Sequence, residues 1–249
     1  MKQRWLRACA YVASAGLILV ILISCIDFQC FRRGFYEREF ETLRIGEDNH
    51  VSDADLMKAT NALLDYIQGK RDDIQVEIEL YELPFDAFNE RERAHMVDVR
   101  GLYQFAIVLR RIAILLALCC GGLVIYVKKK ECFTLFAAAY LRSSICFVFI
   151  VAMLALWAAI DFTSLWEMFH RLFFTNDLWL LNPRTDFMIR MFPEPLFFHM
   201  VMRIAVSFLA VFLSLGIGSI WYLKKQHLLV QTIYDMNSLK GEEKKGTIE

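Results

Sequence analysis

The sequence predicts a mainly α-helical membrane protein: four transmembrane helices, a small α+β extracytoplasmic domain between helices 1 and 2, and an amphipathic collar between helices 3 and 4. Of 249 residues, 57% are hydrophobic, and the mean hydropathy is +0.39. Four long apolar runs are present. Lysine and arginine precede the first run, lie between the second and third runs, and follow the fourth. This composition excludes a disordered tail, a collagen-like repeat and a basic nucleic-acid binder. The 21 phenylalanines need more buried surface than the core of a soluble protein of this length provides.

The four apolar runs cover residues 8–26, 112–127, 143–160 and 204–223. Since about 20 apolar residues cross a bilayer, the first and last runs suffice alone. The second run is extended past Arg110 and Arg111, whose stems can snorkel, and the third past Arg142. The predicted segments are the N-terminus and first span (1–26), an outer domain (27–104), the second span (105–127), a cytoplasmic connection and start of the third helix (128–142), the third span (143–160), an outer-leaflet collar (161–195), the fourth span (196–223) and a cytoplasmic tail (224–249).

The distribution of charge predicts the orientation. Residues 27–109 hold 10 basic and 18 acidic side chains, whereas residues 1–7, 128–142 and 224–249 together hold 12 basic and 5 acidic ones. Because lysine and arginine accumulate on the cytoplasmic side, both termini are predicted there. The formal net charge of +0 is then a cancellation across a membrane.

The first span has an alternative interpretation as a lipoprotein signal cleaved before Cys25, since a basic start precedes Leu22-Ile23-Ser24-Cys25. Its apolar stretch is longer than the roughly 7–15 residues of a signal. The seven cysteines show no CxxC spacing and no pair in the outer segments, which predicts small apolar packing residues rather than disulfides or thiolate ligands.

Local sequence patterns predict four elements in the outer domain. Ser52 begins an amphipathic helix that stops at Gly69. Residues 74–80 alternate apolar and polar like a strand, and residues 35–45 are the expected partner strand. A helix beginning near Asn89 is predicted to run directly into the second span, because few helix breakers follow.

The collar is predicted to contain helices separated by turns. One helix begins at Ser164, with capping-box spacing to Glu167, and continues through Phe174. Residues 175–184 are rich in turn formers, and residues 185–191 have room for one or two helical turns. Pro193 and Pro195 suit the start of the last helix, and a surface helix is predicted over residues 229–239 of the tail.

Two Glu-x-x-His motifs are the candidate chemistry. Glu92, His95 and Asp98 share a helix face, and Glu167 and His170 repeat the spacing in the collar. Three interpretations stay open: a di-iron-like metal site, proton transfer by the two imidazoles, or polar ties between collar and domain.

The metal interpretation needs further carboxylates, and no clear second helix pair presents Glu37, Glu39 or Glu194 for that purpose. Neither a Gly-x-Ser-x-Gly elbow nor an outer Cys-His pattern is present, so a covalent mechanism has no obvious nucleophile.

Long stretches of the chain resemble the bacterial lipoprotein intramolecular transacylases of low-GC Gram-positive bacteria. The resemblance rests on residues 88–100, on residues 169–183 with their continuation to Glu194, on Phe35-Tyr36-Glu37, and on the four-span layout. It implies acyl transfer from the sn-2 ester of a diacylglyceryl group to the α-amine of the N-terminal cysteine of the same lipoprotein. The product is a lyso-form lipoprotein.

The resemblance implies that His95 and His170 are the catalytic pair, one acting as base and the other as acid. Glu92 or Asp98 is expected to orient one ring, and Arg190, Trp179 or backbone amides to stabilise the oxyanion. The supporting or substrate-positioning residues are predicted to be Glu92, Asp98, Asp161, Trp179, Arg190 and Glu194. The acyl chains are expected among Phe173, Phe174, Phe192, Phe197 and Phe198.

The expected partners are diacylglyceryl-modified lipoproteins and membrane lipid, without nucleic acid, metal or cofactor, and the protein is expected to be a monomer. The bacterial cell membrane is the expected location, with the active site at the outer leaflet. The alternative functions are a metal-dependent membrane enzyme built on the Glu-x-x-His motifs and a non-enzymatic membrane scaffold or sensor.

Overall fold

The computed structural model describes the backbone of residues 2–245 and the side chains of residues 3–227. Within this part, the chain forms nine α-helices, one 3-10 turn and one two-stranded sheet. The elements are α1 (Lys2–Cys30), α2 (Arg33–Thr42), α3 (Ile45–Asn49), α4 (Asp53–Ile67), β1 (Glu77–Leu80), β2 (Leu83–Asp86), α5 (Glu90–Lys128), the 3-10 turn (Lys129–Glu131), α6 (Cys132–Ile160), α7 (Phe162–Phe173), α8 (Phe187–Met191) and α9 (Glu194–Lys245).

Three helical runs among the described residues are long and apolar enough to cross a membrane: Gln3–Cys30, Glu90–Ile160 and Glu194–His227. The middle run has 71 residues and contains α5, the 3-10 turn and α6. The second and third predicted spans both lie inside it, on either side of Lys129, which has a φ of 47°. That the chain crosses the membrane four times stays a prediction.

The chain divides into two compact units. The helical unit contains residues 1–19, 113–150 and 209–249, and the α+β unit contains residues 20–112 and 151–208. In the helical unit, the Cβ of an alanine placed at Gly16 would lie 3.1 Å from the carbonyl oxygen of Ala113, so α1 and α5 approach closely there. The Tyr140 hydroxyl donates to the carbonyl oxygen of Phe212 at 2.8 Å. The predicted surface helix over residues 229–239 depends on side chains outside the described residues.

The α+β unit combines both predicted outer segments around one core. The largest fully buried apolar side chains of this core come from α2, α4, β1, α8 and α9: Phe35, Phe40, Leu56, Ile78, Phe187, Met191 and Leu196. Because the collar residues contribute directly to this core, the loop between α6 and α9 is part of the domain that carries the site.

The predicted amphipathic helix is confirmed as α4. The Ser52 hydroxyl accepts a hydrogen bond from the Asp55 backbone N–H at 3.1 Å, which caps the first turn. Its apolar residues are buried on one face, and Gly69 follows the helix with a φ of +77°.

The predicted strand pairing is wrong. Residues 35–45 form α2 and the start of α3 rather than a strand, because Phe35, Tyr36 and Phe40 are buried together on one helical face. β1 instead pairs antiparallel with β2, through a two-residue turn at Tyr81 and Glu82. Both turn residues have positive φ, as this hairpin type requires, although neither is glycine or asparagine.

The predicted uninterrupted helix from the outer domain toward the second span is confirmed as α5. Arg110 donates to Asp27 at 2.8 Å, and its predicted snorkelling stays a prediction. The other oxygen of Asp27 accepts the Tyr103 hydroxyl at 2.8 Å. Since Asp27 lies near the end of α1, this partly buried ion pair ties α1 to α5.

The collar contains α7 and α8, as predicted, but α7 begins earlier than Ser164. The Asp161 side chain accepts the Ser164 backbone N–H at 2.9 Å and is the N-cap. An aspartate at this position caps the helix as well as a serine does, so the first turn includes Phe162 and Thr163.

Candidate active site

The structure brings His95 and His170 together. His95 lies in the second turn of α5, and His170 lies in the last turn of α7. Their ring centroids are 6.2 Å apart, with an angle of 34° between the ring planes. Only 7% of His95 and 8% of His170 is exposed, so the two imidazoles share one nearly dry site.

A backbone carbonyl fixes the orientation of His170. Its Nδ1 lies 2.8 Å from the carbonyl oxygen of Trp166, one turn earlier in α7. A carbonyl oxygen only accepts hydrogen bonds, so Nδ1 carries a proton and donates it. The network therefore assigns the lone pair of the neutral ring to Nε2, which makes Nε2 a proton acceptor.

His95 has a different environment. Its Nδ1 is buried and has no hydrogen-bond partner among the described residues. A buried imidazole nitrogen without a partner has a desolvation cost, and a polar group of a bound molecule would relieve that cost. The Nδ1 atom of His95 is therefore free to bind a polar group, whereas that of His170 is held by its own helix.

Aromatic rings enclose the histidine pair. Trp179 stacks on His170 with 4.9 Å between centroids, and the Trp166 centroid lies 4.8 Å from that of His170. The Phe174 ring contacts both histidines, with centroids 5.3 Å from His95 and 5.6 Å from His170. These rings exclude water and hold both imidazoles in place.

Burial lowers the pKa of both histidines. For His95 the pKa falls to about 4, first because of burial and then because of repulsion from His170, against an opposing effect of Asp98. For His170 burial lowers the pKa, and the hydrogen bond to Trp166 opposes the shift. Both rings are therefore neutral at pH 7, and the mutual repulsion disfavours two protons on the pair.

Glu92, one of the two residues expected to orient a ring, has no hydrogen bond to either histidine among the described residues. Its carboxylate is 1% exposed and accepts the backbone N–H of Asn89 at 2.7 Å and of Met188 at 2.5 Å. Asn89 Oδ1 in turn accepts the Glu92 N–H at 3.0 Å, which completes a capping box at the start of α5. Burial raises the pKa of Glu92, and these hydrogen bonds oppose the rise. Glu92 thus ties the helix of His95 to α8.

Asp98 lies beside an apolar groove. It accepts the Asn176 side-chain amide at 2.8 Å, and its charge favours protonation of His95. The groove has a volume of about 340 Å³ and opens between α5 and the residues after α7. Its lining includes Asp98, Gly101, Phe105, Phe173, Phe174 and Asn176. Phe174 both lines the groove and contacts the two histidines, so the groove adjoins the pair.

The other predicted supporting residues have separate contacts. Asp161 caps α7, and Glu194 accepts the Thr163 hydroxyl at 2.9 Å. The Arg190 guanidinium lies 5.2 Å from the centre of the Phe187 ring, and its buried Nε has no partner among the described residues. None of the three has a hydrogen bond to either histidine in the described structure. Trp179 is at the site, but as a stacking ring.

The carboxylates of the two Glu-x-x-His motifs do not join the imidazoles. Glu92 binds backbone amides, and Glu167 pairs with Arg171 at 3.5 Å. Among residues 3–227 no group of three His, Cys, Asp or Glu side chains has the geometry of a metal site. Within these residues, the side-chain arrangement gives the di-iron interpretation no ligand set.

Sequence reasoning missed Trp166, Asn176 and the hydrogen bonds that Asp186 accepts from Asn89 and Asn182, which we call the Asp186 brace. Asp186 is 4% exposed and accepts the Asn89 amide at 2.9 Å and the Asn182 backbone N–H at 2.7 Å. The spacing of Trp166, one helical turn before His170, was a usable signal. The Asp186 brace joins segments almost a hundred residues apart and leaves no local pattern.

Fold and site together define a helical membrane protein with a buried histidine pair next to an apolar groove. The family model for the lipoprotein intramolecular transacylase Lit matches residues 11–198, a range that includes both histidines. The chain therefore belongs to the lipoprotein intramolecular transacylase family and is a membrane acyltransferase that acts on lipoproteins.

Solved structures have the same fold. One, the membrane integral lipoprotein intramolecular transacylase Lit from Bacillus cereus, has a TM-score of 0.73 and 20% identity, over 91% of this chain and 99% of that one. Two others, in which a histidine is replaced by arginine or by alanine, each have a TM-score of 0.69 and 20% identity and cover 91% of this chain. They cover 96% and 97% of their own chains. A comparison with curated protein sequences finds no match.

Proposed function

We propose that this protein moves an acyl chain within one lipoprotein, from the sn-2 ester of the diacylglyceryl group to the α-amine of the N-terminal cysteine. The observation that carries the proposal is the neutral, nearly dry His95–His170 pair in a member of this family. The amine nitrogen forms a bond to the ester carbonyl carbon, the bond from that carbon to the glycerol oxygen breaks, and one proton moves from nitrogen to oxygen.

His170 is the base in this proposal. Its Nδ1 is committed to the Trp166 carbonyl, so Nε2 accepts the amine proton during attack. The imidazolium that forms keeps its Nδ1–H hydrogen bond to the carbonyl oxygen. The same proton then goes from Nε2 to the glycerol oxygen as the ester bond breaks.

His95 donates a hydrogen bond to the ester carbonyl oxygen as negative charge develops there. Its buried Nδ1 has no partner among the described residues, so a donor or acceptor at this position costs no existing bond. Repulsion between the two rings keeps His95 neutral while His170 carries the proton. Trp179 and Phe174 serve by excluding water and holding the rings, not as oxyanion donors.

No nucleophilic side chain is needed, because donor and acceptor belong to the same molecule. Effective molarities of about 10⁵ M and above are known for well-oriented groups within one molecule. The groove beside Asp98 supports this positioning, since its apolar walls suit an acyl chain and Phe174 links it to the histidines. Asp98 and Asn176 form the polar end, where the glycerol or amine would lie.

The orientation completes the proposal. Four spans, with both termini in the cytoplasm of a bacterial cell, would place the α+β unit at the outer leaflet, where diacylglyceryl lipoproteins reside. The acidic balance of residues 27–109 supports this assignment.

The test uses full-length protein in vesicles with a diacylglyceryl lipopeptide whose N-terminal amine is free. Substrate and product are isomers of equal mass, so tandem mass spectrometry must locate the acyl chain on nitrogen. We expect conversion by the wild type and by His227→Gln, an exposed control, and loss of conversion in His95→Ala and His170→Ala. Full conversion by both alanine variants would overturn the histidine mechanism, and no conversion by the wild type would overturn the reaction.

A second substrate with isotope-labelled acyl chains tests the intramolecular step. In a mixture of labelled and unlabelled lipopeptides, each product should keep its own label. Scrambled labels would show transfer between molecules.

A further inference from the structure

The helical unit contains a second cavity, unrelated to the histidine pair. It has a volume of about 420 Å³ and lies between the start of α1, the end of α5 and the first half of α6. This size is within the range of ligand pockets in proteins. Basic side chains and small apolar side chains both line it.

The cations of this cavity come from three separate elements. Arg7 is in α1, Lys128 ends α5, and Arg142 is in α6. Arg142 donates to the Tyr11 hydroxyl at 3.0 Å, which fixes its guanidinium toward α1. The positive-inside rule accounts for the number of cations at this end but not for their convergence on one cavity.

The charges in the cavity are not balanced. Lys128 pairs with Glu131 at 3.0 Å, and Glu131 is the one carboxylate among the described residues of the lining. Among the side chains of residues 3–227, neither Arg7 nor Arg142 has a carboxylate within ion-pair distance. Two guanidinium groups are therefore available to one anion, and guanidinium binds phosphate oxygens well.

The inner wall of the cavity is apolar. Leu6 and Ala139 are buried, and Leu135 and Ala138 lie on the same face of α6. The alanines leave room beside the helix, and this wall continues along the apolar residues of α6. A small soluble anion would gain nothing from these side chains, whereas a lipid has a glycerol backbone and acyl chains to place there.

We propose that this cavity binds the phosphate of an anionic phospholipid, with Arg7 and Arg142 on the phosphate and the glycerol end against Leu135 and Ala138. The lipid belongs to the leaflet at this end of α1, which the charge distribution predicts to be the cytoplasmic one. The site is independent of acyl transfer, because none of its residues belongs to the α+β unit.

The test is native mass spectrometry of the full-length protein in detergent, titrated with phosphatidylglycerol or phosphatidylcholine of identical acyl chains. We expect phosphatidylglycerol to bind more tightly, with an affinity that falls as salt rises. Arg7→Gln should weaken its binding about fivefold, as should Arg142→Gln. Arg4→Gln, an exposed charge in the same helix that does not line the cavity, should change it less than twofold.

Arg7 is exposed, so its replacement tests the site even if Arg142→Gln disturbs the fold. Equal affinity for the two lipids, or equal losses in Arg7→Gln and Arg4→Gln, would overturn the proposal. Displacement of phosphatidylglycerol by millimolar inorganic phosphate would also overturn it, because the site would then select a soluble phosphate compound.

Discussion

Acid should destabilise this protein because the unfolded chain binds a proton at His95 more readily than the folded protein does. Replacing His95 should remove this part of the acid sensitivity. The folded protein holds the pKa of His95 at about 4, against 6.5 for an ordinary histidine. His95 lies ten residues before the predicted second span at 105–127, in the part of α5 that belongs to the outer domain. At pH 7 the ring is neutral in the folded protein and mostly neutral in the unfolded chain, so it contributes little pH dependence there.

The sign and size follow from proton linkage. As the pH falls below 6.5, the unfolded chain binds a proton at His95 and the folded protein does not, so the free energy of unfolding decreases. At pH 4.5 the loss is about 2.5 kcal/mol relative to pH 7. For a chain of this length, that corresponds to a fall in Tm of roughly 5–10 °C. Below the folded pKa the loss levels off.

His95→Gln removes the titrating group but keeps a side chain of similar polarity. Thermal unfolding, followed by helical circular dichroism in detergent at pH 7 and pH 4.5, should show a smaller fall in Tm for this variant than for the wild type. His227→Gln, an exposed histidine, should behave as the wild type. An acid-induced fall in Tm that is the same in His95→Gln and in the wild type would refute the argument, whatever the absolute stability of the variant.

Three further predictions concern the surroundings of the pair. Glu92→Gln replaces a buried carboxylate that accepts two backbone N–H groups, so the free energy of unfolding should fall by about 2 kcal/mol, measured as a lower Tm at pH 7, while Glu167→Gln, on an exposed pair, should not change it. Trp179→Ala removes the ring stacked on His170 and should slow acyl transfer about tenfold, measured by tandem mass spectrometry. Trp179→Phe keeps an aromatic ring and should keep most of the rate. Equal rates of acyl transfer in the two variants would contradict a stacking role. Gly101→Phe fills the groove and should raise KM for long-chain lipopeptides more than for short-chain ones; an equal effect on both would argue against acyl binding there.

Local signals in the sequence predicted helices better than strand pairing. The Ser52 cap and Gly69 stop are decided by hydrogen bonds and φ angles within a few residues, so α4 was predictable. The β1–β2 turn was not, because Tyr81 and Glu82 lack the residue types that favour positive φ. Tertiary contacts support that turn: the Tyr81 N–H donates to the His50 carbonyl, and the Tyr81 ring lies 4.6 Å from that of His50.

The Glu-x-x-His spacing identified two histidines that do lie together, but the carboxylates have other roles. Glu92 is at position N3 of α5, where a capping box places an acid, and Glu167 is exposed beside Arg171. What brings the histidines together is the packing of aromatic residues around His170 and the brace from Asp186 to Asn89. These contacts depend on the folded collar and leave no short motif.

Burial of the histidine pair has two opposite effects on proton transfer. Dry aromatic surroundings make a protonated imidazole unfavourable, which lowers both pKa values and weakens each ring as a base. The same surroundings strengthen the hydrogen bond from His170 to the Trp166 carbonyl, which becomes most favourable when the ring carries charge. In the proposed mechanism, a bound substrate adds the ester carbonyl oxygen, which carries negative charge while His170 carries positive charge. Under this proposal the transition state supplies the counter-charge that the free site lacks, so the site would stabilise the protonated ring only while the acyl group is being transferred.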